Sequence, residues 1–166
     1  MNFKISLSSE YVRLTQMKKE HFADLYKVAS DPKIWEQHFD ERWKPDVFQK
    51  YFDVGLANKE GCFVIIDLKK NQIMGSTRFY TYDPKDQSVK IGYTFISAEY
   101  WGSGINRSIK KLMLDYSFQY LDKVLFDVWE YNYRSQKAVE KLGALKIDTD
   151  KEGKFLYQLN REQWLK

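Results

Sequence analysis

Hydrophobic and polar positions change their spacing from one segment of the chain to the next, and the spacing predicts the order of strands and helices. Residues 11–17 alternate between apolar and polar side chains, which is typical of a half-buried strand. Residues 18–31 and 45–56 place apolar side chains three and four positions apart, and Pro32 and Pro45 mark the boundaries of these segments. The pattern therefore predicts one strand followed by two amphipathic helices.

The middle of the chain carries three apolar runs that short polar turns separate. The runs cover residues 61–68, 73–82 and 88–96, and they are rich in β-branched and aromatic side chains. The turn "KKNQ" separates the first two runs, and a turn that begins at Asp83 and Pro84 separates the second from the third. Because short turns join antiparallel neighbours, we predict a three-stranded antiparallel meander.

The last part of the chain returns to a mixture of helix and strand. Its pattern predicts a long helix over residues 105–120, a strand over 124–130, a short helix over 132–143 and a closing hairpin over 144–160. A helix that joins two strands of one sheet makes those strands parallel, so the strands over 88–96 and 124–130 should run side by side. The predicted fold class is therefore α+β with a mixed sheet.

The length and composition are typical of one globular domain over residues 1–166. There is no internal repeat or linker, and 43% of the residues are hydrophobic and 30% charged. No apolar run approaches the roughly 20 residues that span a bilayer, and the N-terminus lacks the apolar stretch of a secretory signal. Cys62 is the one cysteine, which excludes a disulfide framework and a cysteine zinc cluster, and no metal is predicted. A cytoplasmic enzyme or binding domain without membrane contact fits these facts.

Gly102 and Gly104 flank Ser103 in the connection between the strand over 88–96 and the helix over 105–120. The first N–H groups of a helix have no partner within it, and together with the helix dipole they bind anions, most often phosphate. Glycines would let a phosphate approach closely, although a plain turn that needs a positive φ is the alternative reading. Neither the P-loop pattern, with its lysine, nor the dinucleotide fingerprint, with its third glycine, is present.

Two segments together resemble the central motifs of the GNAT superfamily of acetyltransferases. They are "YTFISAEYWGSGIN" and "NYRSQKAVEKLGA", with Asn132, Ser135, Leu142 and Gly143 at the positions of the second motif. The similarity is greatest to the branch of RimJ/RimL ribosomal-protein N-acetyltransferases, whose N-terminus also resembles "VRLTQM" and "HFADLYKVASDPKIW" here. The resemblance implies the GNAT fold, in which a mixed, mostly antiparallel sheet splays apart between two central parallel strands and about four helices flank it.

The resemblance also implies acetyl-coenzyme A (acetyl-CoA) as the cofactor. The N–H groups of residues 101–106 would hold its diphosphate, with a hydroxyl from Ser103 and a cation from Arg107. Its pantetheine arm would lie between the diverging strands, and the Ile96 N–H would contact the thioester carbonyl. The residues implied in cofactor binding are Thr94, Phe95, Ile96, Ser97, Trp101, Gly102, Ser103, Gly104, Ile105, Asn106, Arg107, Asn132 and Ser135.

The implied chemistry is a direct attack of a neutral amine on the thioester. Asn132 is a strong helix N-cap by its residue type and would also contact the pantetheine arm. Many GNAT members donate a proton to the leaving thiolate from a tyrosine four positions after Ser135, but Val139 stands there, so Ser135 is the predicted substitute. The residues implied in catalysis are Ser135, Asn132 and Ile96.

The implied acceptor is a primary amine, either a protein N-terminus or a small molecule. Its pocket would lie between the N-terminal helices and the strand ends, and the residues implied in substrate binding are Trp35, His38, Tyr93, Asp127 and Glu130. A carboxylate acting through water would suit the role of base, but no residue is assigned to it. Apolar residues on the closing hairpin are compatible with a homodimer.

Two other functions stay open at this point. A domain that binds acyl-CoA without catalysis, as a sensor or partner module, is compatible with Val139 and with the unassigned base. A nucleic-acid binder is compatible with a net charge of +4 and an aromatic content of 17%. However, the basic residues are scattered, whereas nucleic-acid binders concentrate them on one face, so no nucleic-acid partner is predicted.

Overall fold

The computed structural model describes all residues from 1 to 166, which form one eight-stranded sheet and five α-helices. The strands are β1 (Leu7–Ser8), β2 (Val12–Gln16), β3 (Cys62–Asp67), β4 (Gln72–Asp83), β5 (Ser88–Ile96), β6 (Lys123–Trp129), β7 (Leu145–Ile147) and β8 (Lys154–Asn160). The helices are α1 (Phe22–Ala29), α2 (Pro45–Leu56), α3 (Ile105–Ser117), α4 (Tyr133–Lys141) and α5 (Arg161–Trp164). Among these helices, none combines the length and the apolar character that crossing a bilayer requires.

The sheet has the strand order β1-β2-β3-β4-β5-β6-β8-β7. All neighbouring strands are antiparallel except β5 and β6, which are parallel, as the connection through α3 requires. The closing hairpin places β8 beside β6 and β7 at the sheet edge. The predicted α+β class, the mixed sheet and the antiparallel meander are therefore confirmed.

The structure differs from the predicted elements mainly at short segments. β1 has two residues and α5 has four, so neither is long enough to show a periodic pattern in the sequence. The segment predicted as one helix over 18–31 begins with a 3-10 turn, Lys19–His21, and continues as α1. This turn is capped by His21, whose Nδ1 accepts a hydrogen bond from the Lys18 N–H at 2.9 Å.

The sheet buries a separate apolar cluster on each of its faces. On one face, Ile91 and Phe126 belong to the same cluster as Met113 of α3. On the other face, Phe95 packs against Phe48 of α2, with their ring centroids 6.3 Å apart. Phe95 and Ile96 are successive residues of β5 and belong to different clusters, because successive side chains of a strand point to opposite faces. Since helices cover both faces, the ends of the central strands are the natural place for a site.

Candidate active site

β5 and β6 separate towards their C-terminal ends. They pair at three positions, the last of which joins Lys90 to Leu125. β5 continues to Ile96 and β6 continues to Trp129, without a ladder between these two parts. We call this opening the splay. Backbone groups on its edges have no strand partner across it and are available to a ligand.

A β-bulge turns β5 where the splay begins. Arg78 of β4 pairs with Gly92, and Ser76 pairs with Phe95, so β5 contains one residue more than β4 between these pairs. Tyr93 lies in the bulge and has a φ of 52°, which is unusual for a residue with a side chain. The chain therefore keeps a strained residue at the mouth of the splay.

Contacts from α2 and β4 hold Tyr93 in place. The Tyr51 hydroxyl donates a hydrogen bond to the Tyr93 carbonyl at 2.6 Å. The guanidinium carbon of Arg78 lies 4.5 Å from the ring centroid of Tyr93 and 4.6 Å from that of Tyr51. Arg78 is only 2% exposed, so this cation between two aromatic rings is part of the core. These contacts offset the cost of the positive φ.

The turn before α3 is open and rich in hydrogen-bond donors. Gly102 and Gly104 have φ values of 75° and 83°, and no atom lies within 4 Å of a Cβ built at either position. The backbone N–H groups of the turn that donate to no acceptor in the chain are those of Gly102, Gly104, Asn106 and Arg107. Free N–H groups around an open space at a helix start suit a phosphate or diphosphate.

Two side chains predicted to help at this turn already have partners. The Ser103 hydroxyl donates to the Tyr100 carbonyl and accepts from the Ile105 N–H, so it stabilises the turn itself. Arg107 donates to the Lys141 carbonyl at 3.2 Å and so connects the start of α3 to the end of α4.

The predicted residues on β5 divide between core and splay. Phe95 packs against Trp35, with ring centroids 5.2 Å apart, and the Ile96 side chain belongs to the core below α3. The Ser97 N–H donates to the Met74 carbonyl at 2.8 Å and is not free. Successive N–H groups of a strand point to opposite edges, so the Ile96 N–H points into the splay.

Trp101 joins the two sides of the splay. Its indole N–H donates to the Ile96 carbonyl at 3.2 Å, and the guanidinium carbon of Arg134 lies 3.8 Å from its ring centroid. Arg134 is in the first turn of α4, which follows β6, and its backbone N–H donates to Gln37 Oε1 at 3.0 Å. This stack therefore links the loop after β5 with the helix after β6.

The start of α4 agrees with its predicted capping. Asn132 Oδ1 accepts a hydrogen bond from the Ser135 N–H at 3.2 Å, which confirms Asn132 as the N-cap. The Ser135 hydroxyl has no hydrogen-bond partner in the chain and is free to donate. Val139 is buried in the core and presents no polar group.

A buried carboxylate on β6 faces the α2 side of the splay. Asp127 Oδ2 accepts hydrogen bonds from Lys90 Nζ at 2.8 Å, Tyr80 Oη at 3.1 Å and Lys151 Nζ at 3.4 Å, while Oδ1 accepts none from the chain. Burial disfavours the charged form, but Lys90 and then Lys151 hold the pKa of Asp127 below its ordinary value. The Tyr80 ring lies 5.0 Å from that of Tyr93, so these groups connect β6 to the bulge of β5.

The loop between α1 and α2 forms an aromatic and cationic wall. The ring centroids of His38 and Trp35 are 5.0 Å apart, and the guanidinium carbon of Arg42 lies 5.7 Å from the ring centroid of Tyr93. Burial, and then the charges of Arg42 and Arg134, lower the pKa of His38 to about 4. The His38 imidazole is therefore neutral at physiological pH.

Two hydrogen bonds of its backbone fix the position of Glu130. Its N–H donates to the Gly153 carbonyl at 3.0 Å, and its carbonyl accepts from Gln136 Nε2 at 2.8 Å. No hydrogen bond or ion pair in the chain uses its carboxylate. Its predicted role in substrate binding stays a prediction.

Sequence reasoning missed several polar residues that the fold brings to the splay. Lys90 is a charged residue within the apolar run "SVKIGYTFI", which is the one signal that could have identified it. The others carry no local signal, because only the tertiary fold brings them together; they are Arg42, Tyr80, Lys110, Arg134 and Lys151.

Lys110 of α3 is a buried amine on the α3 side of the splay. It is 7% exposed, its Nζ donates to Thr94 Oγ1 at 2.7 Å, and no carboxylate forms an ion pair with it. Thr94 Oγ1 also shares a hydrogen bond with Thr77 Oγ1 at 2.8 Å. Burial lowers the pKa of Lys110 to about 7.

Comparison at the level of sequence identifies one family. The model of the Acetyltransferase (GNAT) domain matches residues 12–145. A curated protein, the uncharacterized N-acetyltransferase p20 of Bacillus licheniformis, is 25% identical over 122 residues, which cover 70% of this chain and 68% of that protein.

Solved structures share the fold at low sequence identity. A GCN5-related N-acetyltransferase from Brucella melitensis superposes with a TM-score of 0.84 at 16% identity, over 98% of this chain and 81% of the other. An acetyltransferase of the GNAT family from Bacillus anthracis gives 0.74 at 16%, over 95% and 99%. Spermidine N-acetyltransferase from Vibrio cholerae, solved in complex with CoA and spermine, gives 0.72 at 17%, over 95% and 100%. The predicted GNAT fold is confirmed.

The buried Lys110 predicts a pH-dependent stability. Its pKa of about 7 in the folded chain lies below the ordinary value of 10.5, so between these pH values the unfolded chain binds more protons and the free energy of unfolding rises with pH. We expect Lys110→Met to stabilise the protein by about 1–3 kcal/mol at pH 6, because it removes a charge with one polar partner. This advantage should shrink as the pH rises from 7 towards 10.

Urea unfolding of both proteins at several pH values measures this difference. Lys111→Met is the matched control, since Lys111 is an exposed neighbour whose pair with Asp115 contributes little. An advantage of Lys110→Met that does not change with pH would show that Lys110 does not carry a buried charge.

Proposed function

This chain belongs to the GNAT family of acetyltransferases, since the family's domain covers most of its length, and we propose that it moves an acetyl group from acetyl-CoA to a primary amine. One observation carries the proposal: an open turn with free N–H groups lies directly beyond the strand that forms one edge of the splay. A diphosphate and the extended arm attached to it need these two features side by side.

The residues of the turn and of β5 fit the cofactor. The free N–H groups of Gly102, Gly104 and Asn106 bind the diphosphate, and the open space in front of the glycines admits it. The Ile96 N–H, which faces the splay, binds the thioester carbonyl and stabilises negative charge there. When bound, acetyl-CoA supplies the activated acetyl group.

Asp127 orients the acceptor amine. Its free Oδ1 accepts a hydrogen bond from the amine, while Oδ2 stays occupied by the chain. The lowered pKa of Asp127 makes it a better anchor than base, so the proton leaves to water in the cleft. The ammonium groups of Lys90 and Lys151 disfavour a third cation at this position, and the amine therefore binds in its neutral, nucleophilic form.

Ser135 acts on the thiolate that leaves when the acetyl group is transferred. Its unpartnered hydroxyl lies in the first turn of α4, beside the N-cap Asn132, and it donates a hydrogen bond to the leaving thiolate. The thiolate takes its proton from the water that receives the proton of the amine. The buried Val139 leaves no competing donor at the position of the usual tyrosine.

The charges around the splay favour one class of acceptor. Arg42, Lys90 and Lys151 lie on the acceptor side, where Asp40 pairs with Arg42 and Asp127 with both lysines. Three cations and two carboxylates leave one positive charge, which repels a polyamine such as spermidine more than a monoamine. The acceptor we propose is a monoamine or a peptide N-terminus, which agrees with the resemblance to the RimJ/RimL branch.

Gly104→Val tests the cofactor site. Gly104 needs a positive φ and has open space before it, so valine strains the turn and projects into the place of the diphosphate. We expect CoA affinity, measured by calorimetry, to fall at least about tenfold. Gly153→Val is the control, since it imposes the same strain at a φ of 77° in the closing hairpin and should leave CoA affinity unchanged. Equal CoA affinity in the Gly104 variant and the wild type would contradict the proposed site.

An acceptor screen tests the reaction and the role of Ser135. Thiol release from acetyl-CoA is followed with a peptide N-terminus, a simple monoamine and spermidine, and we expect turnover with the first two to exceed that with spermidine. Ser135→Ala should lower kcat about a hundredfold with little change in CoA affinity, since it removes only the hydrogen-bond donor to the leaving thiolate. Ser108→Ala, in the first turn of α3, is the matched control. No thiol release with any amine would overturn the proposed reaction.

A further inference from the structure

We propose that Lys110 and Asn106 of α3 form a polar pair that binds the pantetheine arm, so that the helix as well as the strand edges holds the cofactor. This inference rests on the proposed binding of CoA in the splay. It concerns two side chains on the helix side of the arm, whereas the contacts proposed above come from the backbone of the turn and of β5.

Lys110 has donor capacity that the chain does not use. Its Nζ donates to Thr94 Oγ1 alone, although an ammonium has three N–H groups and a neutral amine has two. Thr94 lies on β5 beyond the last residue that pairs with β6. The amine therefore reaches the wall of the splay with at least one N–H to offer.

Asn106 has an acceptor oxygen without a donor, whereas Lys110 has N–H groups without an acceptor. Its Oδ1 is fully enclosed and has no hydrogen-bond partner, which is rare because a buried polar atom without a partner is costly. Asn106 and Lys110 are four residues apart on α3, so they share one face of the helix about one turn from each other. One face of α3 thus carries an acceptor oxygen without a donor and an amine with unused N–H groups.

The position of this pair matches the path of the arm. Asn106 also carries one of the free N–H groups of the turn, and Lys110 contacts Thr94, which is two residues from Ile96. An arm that runs from a diphosphate at the turn to a thioester at Ile96 therefore passes this face of α3. Pantetheine contains two amide groups: a carbonyl accepts from Lys110, and an N–H donates to Asn106 Oδ1.

The surroundings keep Lys110 able to donate across the physiological pH range. Its hydrogen-bond partner in the chain is Thr94 of β5, which in turn bonds to Thr77 of β4, and neither side chain titrates in this range. Burial alone accounts for its lowered pKa. Both the ammonium and the neutral amine keep an N–H for a carbonyl.

Calorimetric titration with two ligands tests the inference. CoA carries the arm, and ADP carries a diphosphate without it. We expect Lys110→Met to weaken CoA binding about tenfold, because the hydrogen bond from Lys110 to the arm is lost, and to leave ADP binding unchanged. Asn106→Ala keeps the backbone N–H and should weaken CoA several-fold with no effect on ADP. Lys111→Met should alter neither affinity, and thermal unfolding confirms that each variant is folded.

The outcomes separate this inference from the proposed function. If the wild type binds CoA and Lys110→Met binds it equally well, the inference is wrong and the cofactor site stands. If Lys110→Met weakens CoA and ADP alike, Lys110 acts through the turn and not through the arm, which also overturns the inference. A wild type that binds no CoA would overturn both proposals.

Discussion

The separation of β5 from β6 after Lys90 is the constraint on which the rest of the structure depends. A parallel ladder that continued to the ends of both strands would satisfy every edge group and leave no cleft. The bulge at Tyr93 prevents this, because its positive φ turns the strand, and Tyr51 and Arg78 hold it there. The edge beyond the bulge then presents the Ile96 N–H to the opening, and the turn before α3 follows within a few residues.

Buried cations distinguish the two sides of this opening. On the α2 side, Lys90 is paired with Asp127. Arg78 lies between two aromatic rings and donates to the Tyr51 carbonyl, while its Nε has no partner in the chain. On the α3 side, Lys110 has one hydroxyl and Asn106 Oδ1 has nothing. Buried polar groups without a full set of partners call for an explanation, and beside an open cleft a ligand supplies one. The cations of the α2 side thus have a carboxylate or aromatic rings beside them, whereas Lys110 on the α3 side has only a hydroxyl.

The elements with long periodic patterns and strong end signals were predictable from the sequence. Gly102 and Gly104 indicated a turn with positive φ, and Asn132 indicated a helix start, because glycine and asparagine suit those backbone positions for local reasons. The strain at Tyr93 was not predictable, since nothing in a tyrosine favours a positive φ and only contacts from α2 and β4 maintain it. Lys110 likewise reads as one of two adjacent lysines on an amphipathic helix, and only the tertiary fold shows that it is buried while Lys111 is exposed.

The central claim is that a diphosphate binds the free N–H groups before α3 and that the attached arm enters the splay. Amide chemical shifts of isotope-labelled protein during titration with CoA measure this most directly. The account predicts the largest shifts at Gly102, Gly104 and Asn106, with a second group at residues 94–96. Saturable CoA binding that leaves these amides unmoved and shifts another surface would contradict it.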